Sequence, residues 1–175
     1  DRKSMLLSVL DRLREEGVGK VVVVDNGARW PVETDLAALF GDWVEIVSMG
    51  GNMGSAHGFV VAFETAIRTG KPFVWILDDD NRPKPGCLAA LQAAYAEEAE
   101  RTPPALLAVV AVRAEHATGD VSAKQLMTRW DSFSGFHIAD IVSKIAHRLP
   151  GRRKAQPHRV TLGITHFGGM FFHRS

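Results

Sequence analysis

Apolar residues recur at two spacings along the first two thirds of this chain. Met5, Leu6, Val9, Leu10 and Leu13 fall three and four residues apart, which predicts an amphipathic helix over 2–16 that ends at Gly17 and Gly19. Val21 to Val24 form an uninterrupted β-branched run of strand length, broken by the turn chemistry of Asp25, Asn26 and Gly27. A short helix is predicted near 32–40, and Val44, Glu45, Ile46 and Val47 read as a second strand. Gly50, Gly51 and Asn52 open a loop. From Gly54 to Arg68 the residues Phe59, Val60, Phe63, Ala66 and Ile67 define one helical face, closed by Gly70 and Lys71-Pro72. Phe73 to Leu77 read as a third strand, Pro85 opens a helix carrying Leu88, Leu91, Ala94 and Tyr95, and Pro103-Pro104 precedes an apolar strand at 105–112. Helix and strand signals that alternate in this way predict an α/β fold with a largely parallel sheet and helices on both faces.

Beyond residue 113 the alternation decays. Ile138, Ile141, Val142, Ile145 and Leu149 repeat as a helical stripe that reads as core, while Lys144, His147 and Arg148 beside it keep a membrane-facing or partner-facing alternative open. Strand signals return at 159–165 and 169–172, no internal repeat is visible, and no linker divides the 175 residues into two domains.

Composition supports a globular reading: 46% of residues are apolar and 23% charged, enough to build a core. No window approaches the roughly 18 consecutive apolar residues of a membrane-spanning helix. The single cysteine, Cys87, excludes an internal disulfide framework and a Cys-based zinc site, and the start of the chain lacks a signal-peptide pattern, so a reducing, cytoplasmic setting is expected. Charge is unevenly placed. Residues 1–143 hold 14 Lys/Arg against 20 Asp/Glu, whereas 144–175 hold seven Lys/Arg and no acid. Such a basic segment meets phosphate-rich substrates, anionic lipid or nucleic acid by general electrostatics, or is simply solvated.

The sharpest chemical feature is Trp75-Ile76-Leu77-Asp78-Asp79-Asp80, an apolar strand ending in three carboxylates, where open parallel sheets place their ligands. Three adjacent anions repel one another, and a divalent cation relieves that repulsion. Hard oxygen ligands suit Mg²⁺ or Mn²⁺, which take one or two carboxylates plus substrate phosphates. If strand geometry persists, Asp78 and Asp80 point the same way and form the metal pair, with Asp79 facing elsewhere. A solvated acidic turn punctuated by Asn81 and Pro83 is the competing account. Asp25-Asn26-Gly27 alone reads as an ordinary turn, but it ends a strand of the same sheet. The loop from Gly50 to Gly58 reaches that edge as it leads into a helix N-terminus, where glycines permit close backbone approach and free N–H groups suit a diphosphate.

In this order, VVVVDNGA, NMGSAHGF and WILDDDNRPKPGCLAAL give residues 20–100 a resemblance to the nucleotide-binding half of a family 2 glycosyltransferase with the GT-A fold. The likeness is nearest to the rhamnosyltransferase and galactofuranosyltransferase branch, in which an Asn-x-Gly-x-x-x-Gly-Phe phrase precedes an Asp-Asp-Asp segment followed by Pro. The resemblance implies a GT-A-type, Rossmann-like, mostly parallel sheet, with 1–112 as the nucleotide-sugar-binding half and 113–175 as the start of the acceptor side. By the same resemblance Asp25 recognises the nucleotide base with Asn26 beside it, Asn52 and Gly54 line the sugar-nucleotide pocket, and Asp79 lies by the ribose or donor sugar. Asp78 and Asp80 form the metal motif for Mn²⁺ or Mg²⁺. THFGGMFFHRS at 165–175 is similar to the segment under the acceptor site.

The implied reaction is an inverting transfer of a rhamnose-type or galactofuranose-type sugar from a UDP- or dTDP-linked donor to a glycan or lipid-linked acceptor, in bacterial cell-surface polysaccharide synthesis. Nucleic acid is not an expected partner. Peripheral contact at the inner face of the plasma membrane would give the basic segment a purpose. Two departures stand out. Members begin with a strand ending in a Thr-Tyr-Asn-Arg-like phrase, whereas Asp1-Arg2 falls about where that phrase finishes, so the first strand is expected to be absent. The general base of relatives follows the GGMFF-like segment and is expected beyond Ser175, since Asp131 and Asp140 sit in no matching phrase. His166 and His173 flank a glycine pair, where contact with an acceptor or a phosphate stands as an alternative to the commoner packed or solvated role of single histidines on strands. A haloacid-dehalogenase-type phosphatase also places Asp-x-Asp after an apolar strand but wants Thr or Val where Asn81 stands. A sugar nucleotidyltransferase would show a Gly-rich, Lys/Arg-bearing loop after its first strand. A non-catalytic nucleotide-sugar-binding fragment is the third alternative.

Overall fold

The computed structural model describes residues 1–111 and 168–174, which belong to one mixed α/β unit. Helix α1 (Arg2–Glu15) starts where the Asp1 carboxylate accepts the Lys3 N–H at 3.1 Å, satisfying an amide that would otherwise lack a partner. It leads into β1 (Val21–Asp25), helix α2 (Val32–Phe40), β2 (Val44–Ser48), helix α3 (Ser55–Arg68), β3 (Phe73–Trp75), helix α4 (Cys87–Ala99), β4 (Ala108–Val110) and β5 (Met170–His173). Short 3₁₀ turns at Gly41–Trp43 and Pro104–Leu106 precede β2 and β4. The helical stripe from Ile138 to Leu149, the strand signal at 159–165, and Asp131, Asp140 and His166 lie outside the described residues.

Strands β1 and β2 pair in parallel, from Val21 opposite Val44 to Asp25 opposite Ser48. Alternation along β1 sends Val21 and Val23 to one face, where they meet a core of Leu10, Val32, Leu36, Phe40 and Val44 contributed by α1, α2 and β2. Helix α3 packs on β1 as well. The second sheet has the order β3-β5-β4, with β5 antiparallel to both neighbours. Leu91 and Tyr95 of α4 cover one of its faces around Phe171, and Phe63 of α3 reaches Phe172 on the other, ring centroids 5.7 Å apart. Each sheet thus carries helices, and α3 touches both. Among the described residues the expected single, mostly parallel sheet is found as two small sheets, in which β1–β2 is the parallel pair and β5 runs antiparallel to both its neighbours.

The α3 stripe is shifted from its expected position. Val60 and Ile67 are 52% and 47% exposed, while Thr65, outside the predicted face, is 1% exposed. The apolar count alone favoured the Val60 side, but contact with two sheets selects the neighbouring face, and the Thr65 hydroxyl stays satisfied by accepting from Arg68 at 2.9 Å. Strand β3 ends at Trp75 rather than Leu77, although Ile76 prolongs the pairing through bonds with Met170 and Gly169. An aromatic cluster closes the α4 side of this sheet. Phe73 stacks on Phe171 at 5.1 Å, and Tyr95 meets both edge-on, at 5.1 and 6.0 Å.

Candidate functional site

The segments after β1 and β2 interlock. The Asp25 carboxylate accepts the N–H groups of Gly27 and Ala28 at 3.1 and 2.8 Å, which folds the chain back immediately after the strand. That turn aims Asn26 at the next loop, where its amide accepts the Met53 N–H at 2.7 Å and donates to the Gly54 carbonyl at 3.1 Å. Gly27, at φ +85°, lies so close to the same loop that a Cβ would stand 2.8 Å from the Asn52 nitrogen. Asn52 in turn accepts the Gly54 N–H at 3.0 Å, and Gly54, at φ +84°, delivers the chain into α3 without a side-chain cap. The structure therefore brings Asp25, Asn26, Asn52 and Gly54 together. It gives Asn26 a clamping role toward backbone that the sequence reading, which cast it as a nucleotide contact, did not contain.

Asp78, Asp79 and Asp80 sit on a turn rather than on a strand. The Asp78 carbonyl accepts the Asn81 N–H at 3.0 Å, so strand alternation does not govern where these carboxylates point, and that premise of the sequence reading is corrected. Asp79 meets the Arg2 guanidinium through both carboxylate oxygens, at 2.9 and 2.8 Å. Arg2 was not singled out in the sequence. Its neighbour Lys3 lies over the Trp30 ring at 5.2 Å and pairs with Asp35 at 2.6 Å, so the first turn of α1 joins the acidic turn to the segment that follows β1. On its other side the acidic turn abuts Gly168, whose added Cβ would fall 2.6 Å from Asp78 Oδ2.

Among the described residues no three His, Cys, Asp or Glu side chains converge on one point. The two carboxylates expected to hold a metal, Asp78 and Asp80, both belong to this turn. Such a pair fits an ion that takes its remaining oxygens from phosphates and water, as Mg²⁺ and Mn²⁺ do, better than one needing a full protein cage. A shallow groove lined by Ile67, Leu106, Phe172 and Arg174 lies at the far end of the second sheet, away from this turn. Burial and the Glu16 carboxylate raise the Cys87 thiol above the usual range, which favours its protonated form.

No helix among the described residues is long and apolar enough to cross a membrane. No protein-family model, curated protein or solved structure matches the chain.

Proposed function

We propose that this chain is an inverting glycosyltransferase of family 2 with the GT-A fold, whose residues 1–112 take a UDP- or dTDP-linked sugar of rhamnose or galactofuranose type. The interlock of the Asp25–Ala28 turn with the Asn52–Gly54 loop supports this most directly. It organises a glycine-bounded helix entry at the carboxyl end of a parallel strand pair, where nucleotides bind in open α/β sheets. In this reading Asp25 keeps its turn rigid beside the base, and the uncapped first turn of α3 offers N–H groups to the diphosphate. Asp78 and Asp80 hold Mn²⁺ or Mg²⁺, which when bound supplies Lewis-acid neutralisation of the leaving diphosphate. Asp79, oriented by Arg2, faces the ribose or donor sugar. A glycan or lipid-linked hydroxyl is the acceptor, and its deprotonation requires a carboxylate other than those named here.

The test is a thermal-shift panel of UDP-, dTDP- and GDP-sugars with and without Mn²⁺, followed by calorimetry with UDP. A ligand held at one hundred times its Kd stabilises the folded chain by about 2.7 kcal/mol. UDP or dTDP compounds should raise the melting temperature more with Mn²⁺ than without. Asp80→Ala should abolish the metal-dependent part, and Asn81→Ala should only weaken it. Equal affinity of Asp80→Ala and parent for UDP with Mn²⁺ would refute the metal assignment, and Asp78-dependent turnover of a simple phosphoester would favour a phosphatase instead.

A further inference from the structure

We infer that Gly168 is a positioning residue, whose missing side chain lets the Asp78 carboxylate occupy its place at the acidic turn. Proximity just beyond the end of the β3–β5 pair leads to this assignment. Phe73, Val74 and Trp75 lie opposite His173, Phe172 and Phe171, and Ile76 then bonds both Met170 and Gly169, so two residues face one and the regular pairing stops there. Asp78 follows this point and Gly168 precedes it. The two segments still lie side by side, so a side chain at 168 and the Asp78 carboxylate compete for one volume. A Cβ at 168 would stand 2.6 Å from Oδ2 and 3.5 Å from Cγ of Asp78, while the nearest atom of Asn81 is 3.9 Å away.

The two glycines of this pair differ in what they protect. Gly169 has φ +92°, and its Cβ would fall 2.8 Å from the Ala111 carbonyl oxygen, so a side chain there strains the backbone that links β5 to β4. Gly168 lies outside the left-handed region, and its tight contact is the end of an aspartate side chain. Alanine at 168 is therefore absorbed by rotation of the Asp78 carboxylate, and its effect falls on whatever that carboxylate holds. The metal-binding consequence rests on the glycosyltransferase reading; the steric coupling does not.

Two measurements on the full chain separate these. Residues that orient a metal ligand commonly change affinity by about 10–100-fold, so Gly168→Ala should weaken Mn²⁺ binding in the presence of UDP by about tenfold, with UDP binding in the absence of metal unchanged. In an Asp78→Ala background the same substitution should add nothing further. Independently of metal, the Asp78 side-chain carboxyl ¹³C resonance should move in Gly168→Ala and stay in place in a remote control, Leu39→Ala. An unmoved resonance, or parent-like Mn²⁺ affinity in a parent that binds Mn²⁺, overturns the inference. A parent that binds no Mn²⁺ while the resonance still moves overturns the metal reading alone. Should Gly168→Ala fail to fold, Asp78→Gly in the same chain should restore folding, and failure of that rescue also overturns the assignment.

Discussion

Asn26 engages both ends of its amide with the neighbouring loop, accepting from Met53 and donating to Gly54. Its removal leaves two backbone groups on exposed residues that water can satisfy, so the loss is the net worth of the two hydrogen bonds, about 0.5–1.5 kcal/mol each at most. Asn26→Ala should therefore lower the urea midpoint and speed hydrogen exchange at Met53, whereas Asn26→Asp keeps the acceptor and loses only the bond to Gly54. Parent-like exchange at Met53 in Asn26→Ala would show that the clamp is not what holds the loop. Sequence alone marked Asn26 as important, because Asp-Asn-Gly ends a strand, yet it could not distinguish a ligand contact from a backbone clamp. The partner loop is 27 residues away from Asn26 at Met53, and only the parallel pairing of β1 with β2 brings it near. Gly168 was equally hidden, since its meaning depends on its closeness to Asp78, ninety residues away along the chain.

Helix α4 shows how an element boundary is set from elsewhere. Pro85 predicts the helix start, but the helix begins at Cys87, because Gly86 takes φ +77° and the preceding turn keeps its own bonds. The exposed amides are capped by a distant side chain, the Glu16 carboxylate accepting from Gly86 at 2.7 Å and from Leu88 at 2.9 Å. Hydrogen bonds to a charged acceptor contribute about 1.5–3 kcal/mol each, with the exposed share lower, so Glu16→Ala should destabilise the chain by roughly 2 kcal/mol in urea unfolding. Burial raises the Cys87 thiol, and the same carboxylate raises it further. Because the folded form holds that proton to higher pH than the unfolded form does, this group's contribution to stability declines as pH rises above the unfolded thiol's pKa. Iodoacetamide labelling of Cys87 should accordingly set in at higher pH than for a free thiol, and Glu16→Gln should bring the onset down. An onset unchanged by Glu16→Gln would assign the shift to burial alone. None of this was legible beforehand: the helix was evident from Leu88, Leu91 and Tyr95, but its cap lies on the end of α1.

At the scale of the molecule, local spacing identified α1, α2, β1 and β2 almost to the residue, because those elements are made by contiguous patterns. Strand order and direction are not local properties. The alternation of helix and strand predicted a mostly parallel sheet, while β5, arriving from residue 170 onward, slots antiparallel between β3 and β4. The two sheets are tied by α3, which packs on β1 and places Phe63 against Phe172. Truncating a packed phenylalanine costs about 3–5 kcal/mol when fully buried and less when, as here, it is half-buried. Phe63→Ala should therefore lose about 2 kcal/mol and raise hydrogen exchange in both β1 and β5; a change confined to one strand would deny α3 its bridging part.

The sole tyrosine of the chain, Tyr95, lies edge-on to Phe73 and Phe171, while Trp30 and Trp43 belong to the core of the other sheet. Trp75 of β3 packs in the same cluster as Tyr95, so indole is found in both cores and the phenol in one. With Trp75 and Trp130 replaced by phenylalanine, the indole bands of near-ultraviolet circular dichroism would follow one core and the phenol band the other, so an observer could watch the halves come apart in turn or at once without attaching any label.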